Sequence, residues 1–455
     1  MKKSLLFLSL IASFTTINAQ WTSQATGFSA TSRGLSDIII VDANTVWGLA
    51  YDGSAGMANV QEFTRTINGG ASWTPGDIVL GDPTLEINNL IPVSASTAWA
   101  SAIINVPTGG DQSQNGVGTI VKTTNGGVAW TQQLASGFQT AGSSFLNAVY
   151  FWNANVGIAY GDPIGTGLGE YEIYRTTDGG TTWTQLSAAT LPNPLSGEYG
   201  YNSTPVAVGN TLWFTTNKGR LFRTDDLGLT WTASQAPLTD FGAALPANSG
   251  SIHFSTTTNG YLLKTSGTVA TPVYTYYTTT NGGTTWASNL GSPFTGTRRI
   301  LNYIPGTTTI VATSAAAPVG TSVSTDNGTS WTDVESLDQR GAAAFLNPTT
   351  GWTAGFSVDD LTDGIFKLTG PLGTNDLTAA KFKVYPNPAA STITISAVNA
   401  DSFKLSVTDL SGKVVMTKSL NGIENTLDIS ALSTGAYFFE LTSDNKKEVI
   451  KILKN

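Results

Sequence analysis

The sequence predicts an all-β protein built mainly from a repeated β-sheet unit. A short pattern, Ser/Thr-x-Asp/Asn-x-Gly-x-x-Trp, occurs six times, and successive copies are 45 to 57 residues apart. Charged residues make up only 12% of the 455 residues, whereas glycine occurs 49 times. A chain with few charges, many glycines and regularly spaced turn signals is typical of short strands joined by tight turns.

The N-terminal residues 1–19 are predicted to be a signal peptide. Lys2 and Lys3 precede an apolar run from Leu5 to Phe14, and Ala19 is a small residue suited to cleavage. This order is typical of secretory signal peptides. The alternative is an uncleaved N-terminal anchor. No stretch in the rest of the chain approaches the roughly 20 apolar residues of a membrane helix, so we expect no transmembrane segment after signal removal.

The composition excludes several classes of protein. Residues 20–380 contain 24 of the 31 acidic side chains but only 12 of the 23 basic ones, which argues against a nucleic-acid-binding surface. The chain has no cysteine, so disulfides and thiolate metal sites are impossible. We predict no cofactor.

We call each copy of the repeated pattern a box and predict that it forms a structural turn. The Asp or Asn can accept hydrogen bonds from backbone N–H groups, and the Gly allows a positive φ. The Trp begins the next strand and packs against a neighbouring blade. The six pairs of Asp/Asn and Trp positions are Asn68 and Trp73, Asn125 and Trp130, Asp178 and Trp183, Asp226 and Trp231, Asn281 and Trp286, and Asp326 and Trp331.

The box spacing predicts a β-propeller with four-stranded blades. Six boxes indicate six blades, and residues 341–368 carry a seventh apolar pattern without a box. Trp21 and Thr22 match the Trp-Thr pair that follows most boxes, so residues 20–27 are predicted to complete the last blade. Joining the two ends in one blade removes exposed sheet edges. Seven blades are predicted, with six or eight as alternatives.

The boxes resemble the Asp-box (BNR) repeats of sialidases, sortilin-type and photosystem-assembly-factor-like propellers. The resemblance covers about residues 20–370. Such repeats occur in enzymes, receptors and assembly factors alike. The resemblance therefore implies a propeller fold but no particular activity.

The composition changes after residue 368. Residues 369–380 contain turn formers without an apolar period and are predicted to be a linker. Residues 381–455 alternate apolar and polar side chains, which predicts a small immunoglobulin-like β-sandwich. The predicted organisation is a signal peptide (1–19), a seven-bladed β-propeller (20–368), a linker (369–380) and a sandwich (381–455).

Residues 381–455 also resemble the type A sorting domain of the type IX secretion system. The resemblance implies export through the outer membrane by a translocon and an outer-membrane shuttle protein, and removal of the domain by a sortase-like protease. It implies a location at the cell surface or in the medium. An ordinary immunoglobulin-like domain is the alternative. The matching positions are Tyr385, Pro386, Asn387, Pro388, Asp409, Gly412, Gly435, Tyr437, Lys451 and Lys454.

The box turns predict where a binding surface lies. If each box joins the third and fourth strands of a blade, then the loops after the second strands and the connections between blades lie on the opposite face. The longest insertions, 103–118, 186–203 and 233–250, fall on this side, which we call the long-loop face. Its candidate binding residues are Asp52, Asp111, Asp162, Glu170, Glu172, Glu198, Tyr199, Tyr201, Asp240, Asp359 and Asp360.

Catalytic and metal sites receive less support from the sequence. Two carboxylates of the long-loop face could form the acid/base pair of a glycoside hydrolase. A sialidase needs clustered arginines to hold a carboxylate. Here the cations Arg65, Lys122, Arg175 and Arg223 each precede a different box. His253 is the only histidine and is predicted to be structural, and residues 111–116 resemble the start of a calcium loop whose later Glu is missing.

The sequence therefore predicts an exported protein whose propeller is a non-catalytic binding or adhesion module for a surface glycan or a protein. A polysaccharide-active glycoside hydrolase is one alternative. An accessory protein of surface assembly or motility is the other.

Overall fold

The structure is a computed structural model that describes residues 21–455 except 55–58, 106–114, 141–142, 166–168, 246, 289–295, 297, 337, 358–362, 371–381, 398–401, 411 and 444–445. The predicted signal peptide and most of the predicted linker lie outside the described residues. The chain divides into two compact units, residues 1–374 and 375–455.

The described residues of the first unit form seven four-stranded antiparallel sheets, which are the blades of a β-propeller. Blade 1 consists of β2 (Arg33–Ile40), β3 (Val46–Asp52), β4 (Glu62–Thr66) and β5 (Thr74–Asp77). Blade 2 consists of β6 (Leu85–Pro92), β7 (Ala98–Ile104), β8 (Gly118–Thr123) and β9 (Thr131–Gln133). Blade 3 consists of β10 (Leu146–Phe151), β11 (Gly157–Ile164), β12 (Glu170–Thr176) and β13 (Thr184–Gln185). Blade 4 consists of β14 (Val206–Val208), β15 (Thr211–Thr215), β16 (Arg220–Thr224) and β17 (Thr232–Gln235).

The remaining blades complete the ring and confirm the predicted all-β, seven-bladed fold. Blade 5 consists of β18 (Ser249–Phe254), β19 (Gly260–Gly267), β20 (Pro272–Thr279) and β21 (Ala287–Ser288). Blade 6 consists of β22 (Ile300–Tyr303), β23 (Ile310–Ser314), β24 (Gly320–Ser324) and β25 (Thr332–Glu335). Blade 7 consists of β26 (Ala343–Asn347), β27 (Thr350–Ala354), β28 (Gly364–Leu368) and β1 (Trp21–Ala25). A 3-10 turn, Ala188–Thr190, precedes blade 4.

The box of blade 3 shows how these turns are held. Thr176 Oγ1 accepts from the Gly180 N–H at 2.9 Å and donates to Asp178 Oδ1 at 2.8 Å. The same carboxylate accepts from the hydroxyl and the N–H of Thr182, and these bonds lower the pKa of Asp178 to about 2. Gly180 has φ +90°, a conformation that suits glycine. The bond from the glycine N–H to the Ser or Thr hydroxyl oxygen occurs in all six boxes.

The boxes also define the two faces of the ring. In four boxes a glycine precedes the Gly of the pattern and donates its N–H to the turn between the first two strands of the same blade, as in Gly126 to Ser96 O at 2.8 Å and Gly179 to Asn155 O at 2.8 Å. Both turns therefore lie on one face. Because strands alternate in direction, the loops after the second strands and the connections between blades lie on the long-loop face.

Basic residues before the boxes join adjacent blades. Lys122 Nζ donates to Gly179 O in the box of the next blade at 2.8 Å, and Arg175 Nε donates to Leu227 O at 2.8 Å. Lys367 of the last blade reaches the box of blade 1. Each of these cations lies at a different blade interface, which explains why they do not form a carboxylate-binding cluster.

Strand β1 closes the ring. It pairs antiparallel with β28, and Trp21 lies opposite Leu368. This pairing confirms the prediction that the start of the propeller completes the last blade. The indole of Trp21 is 5% exposed and donates to Thr321 Oγ1 of blade 6 at 3.2 Å. Gln24 Oε1 accepts from the indole of Trp73 in blade 1 at 3.0 Å. Strand β1 therefore contacts both neighbouring blades.

The second unit is a small β-sandwich, as predicted. One sheet has the order β29 (Phe382–Tyr385), β30 (Thr392–Ala397) and β33 (Glu424–Asp428). The other has the order β32 (Val414–Asn421), β31 (Ser402–Asp409), β34 (Gly435–Ser443) and β35 (Lys446–Lys454). Ile393 and Ile395 of the first sheet share a buried core with Leu405 and Phe439 of the second.

Replacing the closing tryptophan should destabilise the propeller. Trp21→Ala removes a buried ring and the bond to Thr321, so we expect the free energy of unfolding to fall by about 3–5 kcal/mol. Thr22→Ala, on an exposed side of the same strand, is the matched control and should change it by less than about 0.5 kcal/mol. Denaturant unfolding measures both, and equal effects of the two variants would contradict the closure role.

Candidate functional site

The long-loop face has an irregular inner strand at blade 4. Gly200 forms a bridge with Thr216, and the next pair along the strand is Val206 with Trp213. The residues 201–205 therefore lie opposite only two residues of β15. The extra length forces this segment out of the sheet, as in a large β-bulge. We call residues 199–205 the bulge segment.

Three hydrogen bonds anchor the bulge segment to different parts of the ring. The Gly200 N–H donates to Asp162 Oδ1 of blade 3 at 2.9 Å. The hydroxyl of Tyr201 donates to Asp240, in the connection to blade 5. Thr204 Oγ1 donates to Asp37 Oδ2 at 2.7 Å.

The bond between Thr204 and Asp37 crosses the centre of the ring. Asp37 lies on β2, the first strand of blade 1, whereas Thr204 precedes the first strand of blade 4. First strands of adjacent blades contact one another at most of the blade interfaces, so these strands are innermost. Burial of Asp37 raises the pKa of its carboxyl group, which the bonds from Thr204 and the Ile38 N–H partly oppose.

A pocket of about 240 Å³ lies between the bulge segment and the inner strands of blades 4 and 5. Its walls combine aromatic rings with hydroxyl groups, and none of the described residues that line it is an acid, a lysine or an arginine. It is lined by Tyr160, Tyr201, Ser203, Thr204, Pro205, Val206, Trp213, Phe214, Thr215, Phe241, Gly250, Ser251, Ile252 and His253.

His253 contributes a neutral polar group to this pocket. Burial lowers the pKa of its imidazole to about 4, so the ring is uncharged at neutral pH. Its ring lies 5.6 Å from that of Tyr261. A neutral imidazole offers one donor and one acceptor nitrogen. The prediction of a purely structural histidine did not foresee that the side chain lines a cavity.

Two of the predicted face carboxylates are buried within the scaffold. Glu198 forms an ion pair with Arg220 at 2.6 Å and accepts from Thr216 Oγ1 at 2.7 Å. Burial acts to raise the pKa of Glu198, but these bonds outweigh it and the pKa is lowered. Glu172 is 2% exposed and accepts from the Phe138 N–H at 2.9 Å and from Ser144 at 2.8 Å. The expectation that both present their carboxylates to a ligand is corrected, because these oxygens hold neighbouring loops.

Asp162 is also largely buried, beside the bulge segment. Its Oδ1 accepts from Asn147 Nδ2 at 2.8 Å as well as from the Gly200 N–H. Burial raises the pKa of Asp162 to about 6, although both hydrogen bonds act to lower it. Asp162 is therefore a carboxyl group of this face that could hold a proton near neutral pH.

The other predicted face residues differ in their surroundings. Asp52 lies 3.6 Å from Arg33, and the buried Oε2 of Glu170 has no hydrogen-bond partner among the described residues. Tyr199 is 43% exposed, and its ring lies 5.8 Å from that of Tyr201. Asp111, Asp359 and Asp360 lie outside the described residues.

Two further pockets flank the connection between blades 1 and 2. One, of about 370 Å³, lies against residues 59–62, and the other, of about 500 Å³, lies against blade 2. Both include Val79 and Asp82 of this connection. The long-loop face therefore carries recesses at more than one blade.

The part of the chain that the structure describes contains neither a metal-ligand cluster nor a membrane helix. It includes no group of three or more His, Asp or Glu residues placed to hold a metal ion. No helix within the same residues is long and apolar enough to cross a membrane.

The predicted sorting residues lie at one end of the sandwich and in its turns. Asn387 joins its own loop to β35, since its amide bonds to Lys451 O at 2.8 Å and to the Leu453 N–H at 2.9 Å. The hydroxyl of Tyr385 donates to Glu424 at 3.1 Å. Pro386 and Pro388 both follow cis peptide bonds.

The remaining predicted sorting residues take part in turns and strand pairs of the sandwich. Asp409 accepts from the Gly412 N–H at 3.0 Å in a turn where Gly412 has φ +83°. The hydroxyl of Tyr437 donates to Ser433 O at 2.8 Å. Gly435 begins β34 and pairs with Lys454, and Phe438 pairs with Lys451.

Residues 383–455 match the family described as Secretion system C-terminal sorting domain. The second unit is a type IX sorting domain. The protein is accordingly a type IX cargo, secreted across the outer membrane to the cell surface or the medium. No match to a curated protein is found.

Several solved structures resemble the chain weakly. YCF48 from Cyanidioschyzon merolae is 15% identical, with a TM-score of 0.45, over 76% of this chain and 98% of that one. PorZ, a surface component of the type IX secretion system of Porphyromonas gingivalis, is 12% identical, with a TM-score of 0.36, over 90% and 68%. An ulvan lyase is 11% identical, with a TM-score of 0.47, over 76% and 96%. The propeller assignment rests on the strand pairing described above.

Deleting the sorting domain should block export. A chain lacking residues 381–455 loses the entire matched segment, so we expect the propeller to remain inside the cell envelope. Immunoblots of cell and medium fractions measure this. Thr408→Ala, a partly buried exchange that keeps the domain, is the control. Normal secretion of the truncated chain would contradict the assignment of the export signal to this segment.

Asp162→Asn should remove a pH dependence of stability. The folded pKa of about 6 exceeds the unfolded value of about 3.9, so its contribution to stability is full below about pH 4 and is lost as the pH rises through 6. Relative to the variant, the wild type should lose about 2–3 kcal/mol of unfolding free energy between pH 4 and pH 7. Urea unfolding at several pH values tests this, and parallel stability curves would refute it.

Proposed function

We propose that the propeller is a non-catalytic binding module that attaches to a surface glycan or protein through its long-loop face. The observation that carries this proposal is the contrast between the pocket and its surroundings. The pocket walls combine uncharged aromatic rings with hydroxyl groups, a composition typical of ligand-binding pockets. The nearby carboxylates of Asp37, Glu198 and Asp240 are engaged in bonds that maintain the fold.

The two faces of the ring differ in a way that favours this role. The face that carries the boxes, opposite the long-loop face, consists of short turns whose polar groups form hydrogen bonds with one another, as in Asp178 with Thr182. The long-loop face carries the bulge segment and the pockets at blades 1, 2, 4 and 5. Loops of varied length on a rigid scaffold are the usual location of binding residues.

The secretion route supports a role outside the cell. We propose that the sorting domain engages the type IX translocon and an outer-membrane shuttle protein, and that a sortase-like protease removes it. A propeller delivered in this way meets surface polysaccharides and exported proteins.

Charge introduced on the long-loop face should weaken attachment. The double variant Val79→Glu and Tyr199→Glu changes two exposed side chains of this face, and we expect at least about tenfold weaker binding to intact cells of the producing bacterium. Titration of labelled, purified protein measures the binding.

The matched control places the same charges on the opposite face. Val128→Glu and Leu229→Glu change exposed apolar residues within boxes and should leave binding unchanged. If the control loses binding while the long-loop variant keeps it, the face is assigned wrongly. If neither variant changes binding, the propeller does not attach through either surface.

A glycoside hydrolase is the second candidate, because burial raises the pKa of Asp162 to about 6, a value suited to a general acid. Glu170 lies on the adjacent strand, opposite Ile164, and its buried Oε2 has no partner among the described residues. Reducing sugar released from bacterial and plant polysaccharides tests this candidate. Release that Asp162→Asn abolishes would favour the hydrolase, and no release is expected from a binding module.

A further inference from the structure

We propose that the pocket behind the bulge segment holds one neutral sugar ring of a glycan. This inference rests on the binding function proposed above and specifies its ligand. It follows from the size of the pocket, from its lack of charge and from the kind of hydrogen-bonding groups that it presents.

The size of the pocket limits the ligand to about one ring. Its volume of about 240 Å³ corresponds to roughly eight water molecules at about 30 Å³ each. A single hexose ring with its hydroxyls is of this size, whereas a second ring would have to lie outside. The remainder of a glycan would extend over the long-loop face.

The polar groups of the pocket suit hydroxyl ligands. Ser203, Ser251 and the neutral His253 line it, and each can both donate and accept a hydrogen bond. Tyr201 and Thr204 already donate to Asp240 and Asp37, so their oxygens remain available as acceptors. A sugar hydroxyl, which donates and accepts, satisfies both kinds of group.

Charged ligands fit this pocket less well. An anion would lose its hydration without gaining a cation among the described lining residues. The carboxyl groups of Asp37 and Asp240 also lie close by, because they accept hydrogen bonds from the lining residues Thr204 and Tyr201. An ammonium ion would donate only, which leaves the donor groups of the pocket unpaired. The ring of Phe241 offers apolar surface for the C–H groups of a sugar ring.

Binding of simple glycosides to the whole purified protein tests the proposal. The probes are the methyl glycosides of glucose, galactose and mannose, followed by saturation-transfer NMR and by tryptophan fluorescence, since Trp213 lines the pocket. We expect at least one to bind with a Kd of about 1 mM. Glucuronate and glucosamine, the anionic and cationic analogues, should bind at least tenfold more weakly.

Matched variants locate the binding. Ser251→Phe fills the pocket from an exposed lining position and should weaken glycoside binding at least tenfold. Thr119→Phe places the same ring in the pocket beside blade 2 and should have no effect. His253→Leu should weaken binding, and His253→Gln, which keeps a donor and an acceptor, should restore most of it.

Three outcomes would overturn the proposal. They are equal or tighter binding of a charged analogue, glycoside binding that Ser251→Phe leaves unchanged, and no glycoside binding at ten times the expected Kd. The binding function is judged separately by attachment to cells. If Ser251→Phe leaves attachment intact while the double variant Val79→Glu and Tyr199→Glu abolishes it, only the sugar assignment fails.

Discussion

The ring depends on the hydrogen bond that the glycine N–H of each box donates to the hydroxyl of the box Ser or Thr. In blade 6, Ser324 Oγ accepts from the Gly328 N–H at 2.8 Å and donates to Asp326 at 2.8 Å, which fixes the turn before β25 begins. The turn then presents main-chain carbonyl groups to the preceding blade. At several interfaces a lysine or arginine donates to such a carbonyl, as Lys122 does to Gly179. A hydrogen bond between residues close together in the sequence thus sets the docking of two sheets.

This dependence explains which features the sequence predicted. The box pattern is local, so the turns, the faces and the blade period could be read from residue types and spacing alone. The closing strand was predictable because Trp21 and Thr22 repeat the Trp-Thr pair of most boxes, whereas residues 341–368 contain no box and therefore no Trp-Thr pair belonging to one. Whether a carboxylate faces solvent depends on residues distant in the sequence. The sequence predicts Glu198 on the binding face because nothing in the residue types of Glu198 and Arg220 indicates that they form an ion pair. The bond between Thr204 and Asp37, 167 residues apart, carries no sequence signal at all.

The pocket arises from a mismatch within a regular fold. Blade 4 has the short inner strand β14, and the residues 201–205 before it pass only two residues of β15. The displaced segment needs partners outside its own sheet, and it finds them in Asp162, Asp240 and Asp37. Two of the acidic residues predicted on the long-loop face, Asp162 and Asp240, therefore anchor the segment that forms one wall of the uncharged pocket. An irregular strand creates the site, and the surrounding regular blades keep it in place.

The pairing of β1 with β28 also has a consequence for the order in which the chain is made. Strand β1 is synthesised before every other strand of the ring, and it lacks its partner until β28 has emerged. The sorting domain follows β28, and its matched residues begin at 383. A chain whose synthesis stops before β28 therefore lacks both the closing strand pair and the sorting domain. Because of the order of the two units along the sequence, every chain that carries the sorting domain also carries both strands that close the ring.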